Sequence, residues 1–221
     1  YHTAKADGQI LVATGLRTGN SVPRHWNAEQ RKADFYDVKS DVFDMAATMG
    51  LQPEKLQLTT DAPEWYHPGR SACLRMGKNV LAQFGELHPG VLSDLGIKVP
   101  AVGFEFFVDN VPVPKNKSNA FKSLDLLPLQ PLARDFAFLV DETVTADELV
   151  RAAANADKNL ISAVDVFDVY QGKGVEDGKK SVALSVTLQP KAETLTEQDI
   201  EAVSKKVVDL VGQKTGGILR G

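Results

Sequence analysis

The sequence predicts an α+β protein in two parts, and three observations carry that prediction. Short runs in which apolar and polar residues alternate are bounded by Gly, Pro and Asn, the mark of half-buried strands. These strands come largely as hairpins, without regular strand–helix alternation, which favours antiparallel sheets with helices packed on one side. From Pro131 to Gly221 the order is strand, helix, strand, strand, helix, strand, a split βαβ arrangement in one sheet.

Each element of that last stretch has a local cause. Arg134 to Val140 reads as a strand in which Phe136, Phe138 and Val140 share a face. Thr145 and Glu148 form a capping box for the first helix, each side chain satisfying a backbone N–H of the first turn. A hairpin follows, Leu160 to Tyr170 and Lys180 to Gln189, joined by a Gly-rich turn around Gly172-Lys-Gly174. In its second strand Val182, Leu184, Val186 and Leu188 alternate with Ser181, Ala183, Ser185 and Thr187. A long helix from about Thr196 to Lys214 carries Ile200, Val203, Val207 and Val211 at helical spacing, and Thr194 with Glu197 predicts its capping box. A short run, Gly216-Gly-Ile-Leu-Arg220, ends the unit. Together these make a ferredoxin-like βαββαβ domain.

Two helices cover one face of such a sheet and leave the other open. Asp168 and Tyr170, two residues apart, are expected on the open face, with Phe167 and Val169 turned to the core. Across the hairpin, Ser181 to Thr187 provide a low floor of small side chains. An aromatic ring over such a floor is a platform on which an unpaired base can stack, worth about 1–3 kcal/mol per base.

The first part predicts a strand over Gln9–Thr14, a Gly-, Asn- and Ser-rich loop over Gly15–Pro23, and a helix from Asp34-Phe-Tyr-Asp-Val-Lys39 to Ala47, stopped by Gly50. Strands are expected at Lys55–Thr59, Ala72–Met76, Val80–Leu87 and Val102–Val108, with a short helix at Val91–Leu95. His67-Pro-Gly-Arg-Ser71 reads as a tight turn, and His88-Pro-Gly90 as a helix cap. Asp109 to Leu132 holds Pro112, Pro114, Pro128 and Pro131 and the run Lys115-Asn-Lys-Ser118, a stiff connector. The domains are therefore drawn at 1–110, a Pro-rich linker at 111–130, and 131–221. The first residue is Tyr1 rather than Met, which leads us to expect a piece of a longer polypeptide.

Composition is that of an ordinary soluble protein, and no apolar run approaches the roughly 20 residues of a membrane span. The single cysteine, Cys73, excludes an internal disulfide and fits a reducing compartment. Net charge is −4. From Pro131 onward there are 11 Lys+Arg against 15 Asp+Glu, so that part carries the whole excess. A protein that grips RNA through phosphate charge should be basic. Here any such grip is local, through Lys173, Lys179 and Lys180 at the hairpin turn.

His25, His67, His88 and Cys73 lack the close paired spacing of a zinc site. In His-Pro-Gly, Pro fixes φ, Gly supplies a positive φ and the imidazole caps a backbone group. There is no phosphate-cradling Gly-rich loop and no nucleophile elbow. Asp34 and Asp37 fit a helix start better than a catalytic carboxylate pair. No catalytic or metal-ligating residue is assigned. Asp168 and Tyr170 are the candidates for binding.

Arg134-Asp135 before an apolar strand, Val166-Phe-Asp-Val-Tyr-Gln-Gly172, Gly178-Lys-Lys-Ser181, Thr194-Leu-Thr-Glu197 and Gly217-Ile-Leu-Arg-Gly221 together resemble the ferredoxin-fold anticodon-binding domain of the bacterial phenylalanyl-tRNA synthetase β subunit. The first part, through Gly15-Leu-Arg-Thr-Gly19, His25-Trp26, Asp34-Phe-Tyr-Asp37 with Lys39, His67-Pro-Gly-Arg-Ser-Ala72 and Phe84-Gly-Glu-Leu-His-Pro-Gly90, is similar to the end of that subunit's class II synthetase-like module. The resemblance implies a module with no chemistry of its own that builds the interface with a catalytic α subunit in a heterotetramer. It implies a cytoplasmic parent enzyme that joins phenylalanine to tRNA(Phe) with ATP and magnesium, neither of these cofactors being bound by this portion. The editing module and magnesium-binding region would precede Tyr1. Carried across position by position, Tyr170 stacks an anticodon base while Asp168 and Ser181 hydrogen-bond its edge; a carboxylate suits guanine N1–H and N2–H₂. Two alternatives stand beside this: an assembly module that touches no RNA, and a small-molecule regulatory domain. The second would need a Gly-rich loop where the chain has Asp141-Glu-Thr-Val144.

Overall fold

The computed structural model describes residue 3, residues 8–113 and residues 126–220. The chain forms two compact units, 1–119 and 120–221. Pro114 and the Lys115–Ser118 run of the expected linker lie outside the described residues.

The first unit is a five-stranded antiparallel sheet in the order β1-β5-β4-β3-β2, from β1 (Val12–Thr18), β2 (Gln57–Thr59), β3 (Tyr66–Met76), β4 (Asn79–Leu87) and β5 (Ala101–Phe107). Helix α1 (Phe35–Thr48) packs on one face, its Val38, Val42 and Ala46 buried with Leu74, Leu81, Phe84 and Phe106. Phe35 stacks on Phe84 at 5.4 Å between ring centroids. Asp34 caps α1, Asp37 returns the bond to the Asp34 N–H, and Arg31 holds Asp37 through two N–H···O bonds of 2.7 Å each. The Arg31 bonds keep the Asp37 carboxyl below its ordinary value, against a smaller opposing effect of burial. The Asp34/Asp37 pair is thus a helix start.

Several local expectations are corrected here. The first strand begins and ends later than Gln9–Thr14. Lys55 closes a 3₁₀ turn, Pro53–Lys55, before β2. His67-Pro-Gly-Arg-Ser71 lies within the long strand β3, as a register shift between Tyr66 and Ser71, and not in a separate turn. Neither Gly69 nor Gly90 has a positive φ. The imidazoles do cap: His67 Nδ1 accepts from the Gly69 N–H and His88 Nδ1 from the Gly90 N–H, each at 3.1 Å. His88 is the N-cap of the short helix α2 (Pro89–Asp94).

The second unit is a four-stranded antiparallel sheet in the order β7-β8-β6-β9, from β6 (Leu132–Asp141), β7 (Ile161–Tyr170), β8 (Lys179–Leu188) and β9 (Ile218–Leu219). With α3 (Ala146–Ala154) and α4 (Glu197–Thr215) it realises the βαββαβ order. Phe138, Val140, Val182, Leu184, Val186 and Leu188 bury against Leu149 and Ala153 of α3 and Val203, Val207 and Val211 of α4. Thr145 and Glu148 form the capping box of α3. The box of α4 is Thr196 with Asp199, two residues later than Thr194 with Glu197, because the helix starts at Glu197 and the reciprocal acid must stand three residues past the cap. Gly216, at φ 69°, ends α4 in the left-handed conformation that favours glycine.

Candidate nucleic-acid interface

Both helices of the second unit pack on one face of its sheet. The register fixes what stands on the other. Along β8 it carries Ser181, Ala183, Ser185 and Thr187; β6 places Leu139, Ala137, Asp135 and Ala133 beside them. On the far side β7 places Tyr170, Asp168, Asp165 and Ala163 opposite the same four residues. The floor is small because alternation sends every large apolar residue of β8 to the core.

A β-bulge sets the β7 side. Val164 and Val166 pair with the buried Val186 and Leu184, but the next partner, Ala183, faces Asp168. Phe167 is the extra residue, and the bulge reverses the alternation after it. Asp168 and Tyr170 thereby reach the open side; unbroken alternation from Val166 would have sent them to the core. Phe167 does not turn to the core as expected: it is 59% exposed. Val169 shares the core side with Val182 in register, yet is 55% exposed.

Tyr170 is 41% exposed, and its hydroxyl donates to the Lys173 carbonyl at 3.1 Å. The bond ties the ring to the turn it precedes. Gly172 makes room: a Cβ there would stand 3.1 Å from the Tyr170 hydroxyl, and φ of 148° also favours glycine. Ser181, directly across from Tyr170, is 6% exposed, yet its hydroxyl makes no hydrogen bond among the described residues. Among the described residues the Asp168 carboxylate also has no hydrogen-bond or ion-pair partner. A ring, an acceptor and a hydroxyl thus adjoin across β7 and β8, with the acceptor and hydroxyl uncommitted.

The three lysines of the turn differ. Lys179 pairs with Glu176 at 2.7 Å, and that bond raises its ammonium and lowers the carboxyl. Lys180 donates to the Glu142 carbonyl at 2.9 Å and so pins the loop after β6 to the hairpin. Of these three, only the Lys173 ammonium has no partner among the described residues. Sequence reasoning did not name Asp135, Asp165 or Arg220 as site residues, although Asp135 and Arg220 stand in stretches that carry the resemblance. The Arg220 N–H donates to the Ala137 carbonyl at 2.7 Å, continuing the Leu139–Ile218 and Phe138–Leu219 pairing and putting Arg220 on the open side. Its signal was the alternation through Ile218, Leu219 and Arg220.

In the first unit, His25 Nδ1 accepts from the Asn27 N–H at 3.1 Å, as His67 and His88 do from the N–H two residues on. No group of three or more metal-ligating side chains occurs among the described residues. Cys73 is fully buried, and burial pushes its thiol up. Among the described residues no helix is long and apolar enough to cross a membrane.

Comparison with known proteins agrees with the fold of the second unit. Residues 128–220 match the family model described as "Ferredoxin-fold anticodon binding domain", so the second unit is a domain of that class. Residues 6–108 match "Phenylalanyl tRNA synthetase beta chain CLM domain". The chain is 50% identical over 221 residues to the phenylalanine–tRNA ligase beta subunit of Rhodospirillum rubrum, covering 100% of this chain and 28% of that subunit. Identity to the subunit of Paramagnetospirillum magneticum is 50% over 214 residues, with 96% and 27% covered; to that of Mesorhizobium japonicum it is 44% over 227 residues, with 100% and 28% covered. The chain belongs to the phenylalanyl-tRNA synthetase beta-subunit family and corresponds to its C-terminal region. It spans little more than a quarter of the length of these relatives.

Proposed function

We propose that the second unit binds tRNA(Phe) by receiving one anticodon base on its open sheet face. Tyr170 stacks the base, the Asp168 carboxylate accepts from guanine N1–H and N2–H₂, and the Ser181 hydroxyl bonds the remaining edge. The observation that carries this reading is the juxtaposition of an exposed ring with two polar groups lacking partners, held in register by a bulge. Lys173 is the lysine of the turn best placed for a phosphate, since Lys179 and Lys180 are engaged within the chain.

The first unit, on this reading, is a class II synthetase-like module without chemistry that contacts a catalytic α subunit of a heterotetramer. Its apolar exposure supports that role: Leu16 is 63% and Trp26 90% exposed. The whole enzyme would join phenylalanine to tRNA in the cytoplasm using ATP and magnesium held elsewhere.

Anticodon stem-loops test the guanine reading. Replacing the read guanine by inosine removes the N2–H₂ donor and should weaken binding by about 1–3 kcal/mol, and Asp168→Asn should largely abolish the difference. Equal discrimination by wild type and variant removes Asp168 from base recognition.

A further inference from the structure

The charges on the open face are not evenly spread. At its Tyr170 end stands Arg220, whose Nη2 lies 3.9 Å from where a Cβ on Gly174 would be. Its strand is two places from β8 in the sheet, so the guanidinium and the hairpin turn meet across the end of the face where Ser181 is enclosed. No carboxylate pairs with Arg220 among the described residues. Toward the other end, Asp135 and Asp165 flank Ser185 from opposite sides, one on β6 and one on β7. Neither carboxylate has an ion-pair or hydrogen-bond partner among the described residues.

A base can lie over small neutral side chains, but its phosphates cannot be set beside two unpaired carboxylates without repulsion. We infer that this face is built to take a single unpaired nucleotide at its Ser181 end, with Arg220 holding that nucleotide's phosphate and Asp135 and Asp165 barring the strand from running on across the sheet. This rests on the proposed base site and adds to it a direction and a limit. The arginine compensates for an acidic domain at the one place where the backbone must pass. The two aspartates act as specificity determinants, since they penalise a stretched single strand more than a sharply turned loop.

The test measures affinities of the full chain for tRNA(Phe) and for single-stranded oligouridine, across a salt series. Arg220→Gln should weaken tRNA binding roughly tenfold and reduce the steepness of log K against log salt by about 0.7–0.9, the value of one phosphate contact. Arg220→Lys should keep the salt slope and recover part of the affinity. The paired change Asp135→Asn with Asp165→Asn should strengthen oligouridine binding several-fold and leave tRNA binding within twofold, narrowing the preference for the loop. The inference is overturned if Arg220→Gln leaves the slope unchanged, or if the paired change leaves oligouridine binding unchanged. Tyr170→Ala separates the levels. If it weakens tRNA binding while the charge variants do nothing, the base site stands and this inference falls. If it too has no effect, both fall.

Discussion

Tyr170 does two jobs that can be pulled apart. Its ring is the proposed stacking surface, while its hydroxyl ties β7 to the turn through the Lys173 carbonyl. Tyr170→Phe should therefore keep most RNA affinity, because the π-face remains. Loss of the hydroxyl should instead loosen residues 171–178, seen as faster amide exchange there. In the first unit, Asp37 is the residue whose protonation matters. Arg31 and the Asp34 N–H hold its carboxyl below the ordinary 3.8. A depressed folded value means stabilisation that is complete above the ordinary value and lost as pH falls through the folded one. Asp37→Asn should cost about 1–2 kcal/mol at pH 7, and the gap to wild type should shrink below about pH 4 in urea melts taken across the acid range. A gap that stays constant down to pH 2 would mean that the charge on Asp37 contributes nothing.

Element-scale packing shows what the sequence made legible. The alternation in β8 and the valine stripe of α4 were readable because each lies on one period without interruption, and the buried Val182, Leu184, Val186, Leu188, Val203, Val207 and Val211 follow directly. The bulge at Phe167 was not read, although Val164, Val166 and Val169 are spaced by two and then by three. That step is the sequence trace of an extra residue, and it decides which side chains reach the open face. The capping box of α4 was misplaced because Thr194 and Thr196 each have an acid three residues on, and only the helix start discriminates them. Leu149, fully buried between α3 and the sheet, should cost about 2–5 kcal/mol when cut to Ala, measured as a fall in the unfolding free energy of the second unit. In the first unit a Cβ on Gly85 would stand 2.6 Å from the Arg70 carbonyl oxygen and Ser71 Cα. Gly85→Ala should destabilise that unit by roughly 1–3 kcal/mol, since backbone must move.

At the scale of the whole molecule, charge sets the expectation. A chain of net charge −4 cannot hold tRNA by a broad basic surface, and the second unit is the more acidic part. On the proposed reading its contacts are the base and about two phosphates, so log K against log salt should fall with a slope of only roughly −1.5 to −2. A much steeper slope would place the grip on a surface other than the open face. The proline-rich stretch and the change in pattern at Pro131 lead us to expect two parts; the chain forms compact units over 1–119 and 120–221. The family resemblance supplied the roles of Tyr170, Asp168 and Ser181, which physical reading alone left open. Its geometry then depended on a bulge at Phe167, traced only by the step of three from Val166 to Val169, and on the turn that follows Tyr170.

Titration of tRNA(Phe) at low salt against the wild-type chain and Tyr170→Ala tests the central claim most directly. The stacking account predicts that the wild type binds and that the variant loses roughly 1–3 kcal/mol with its fold intact. Equal binding by both chains, or no binding by the wild type, would contradict it.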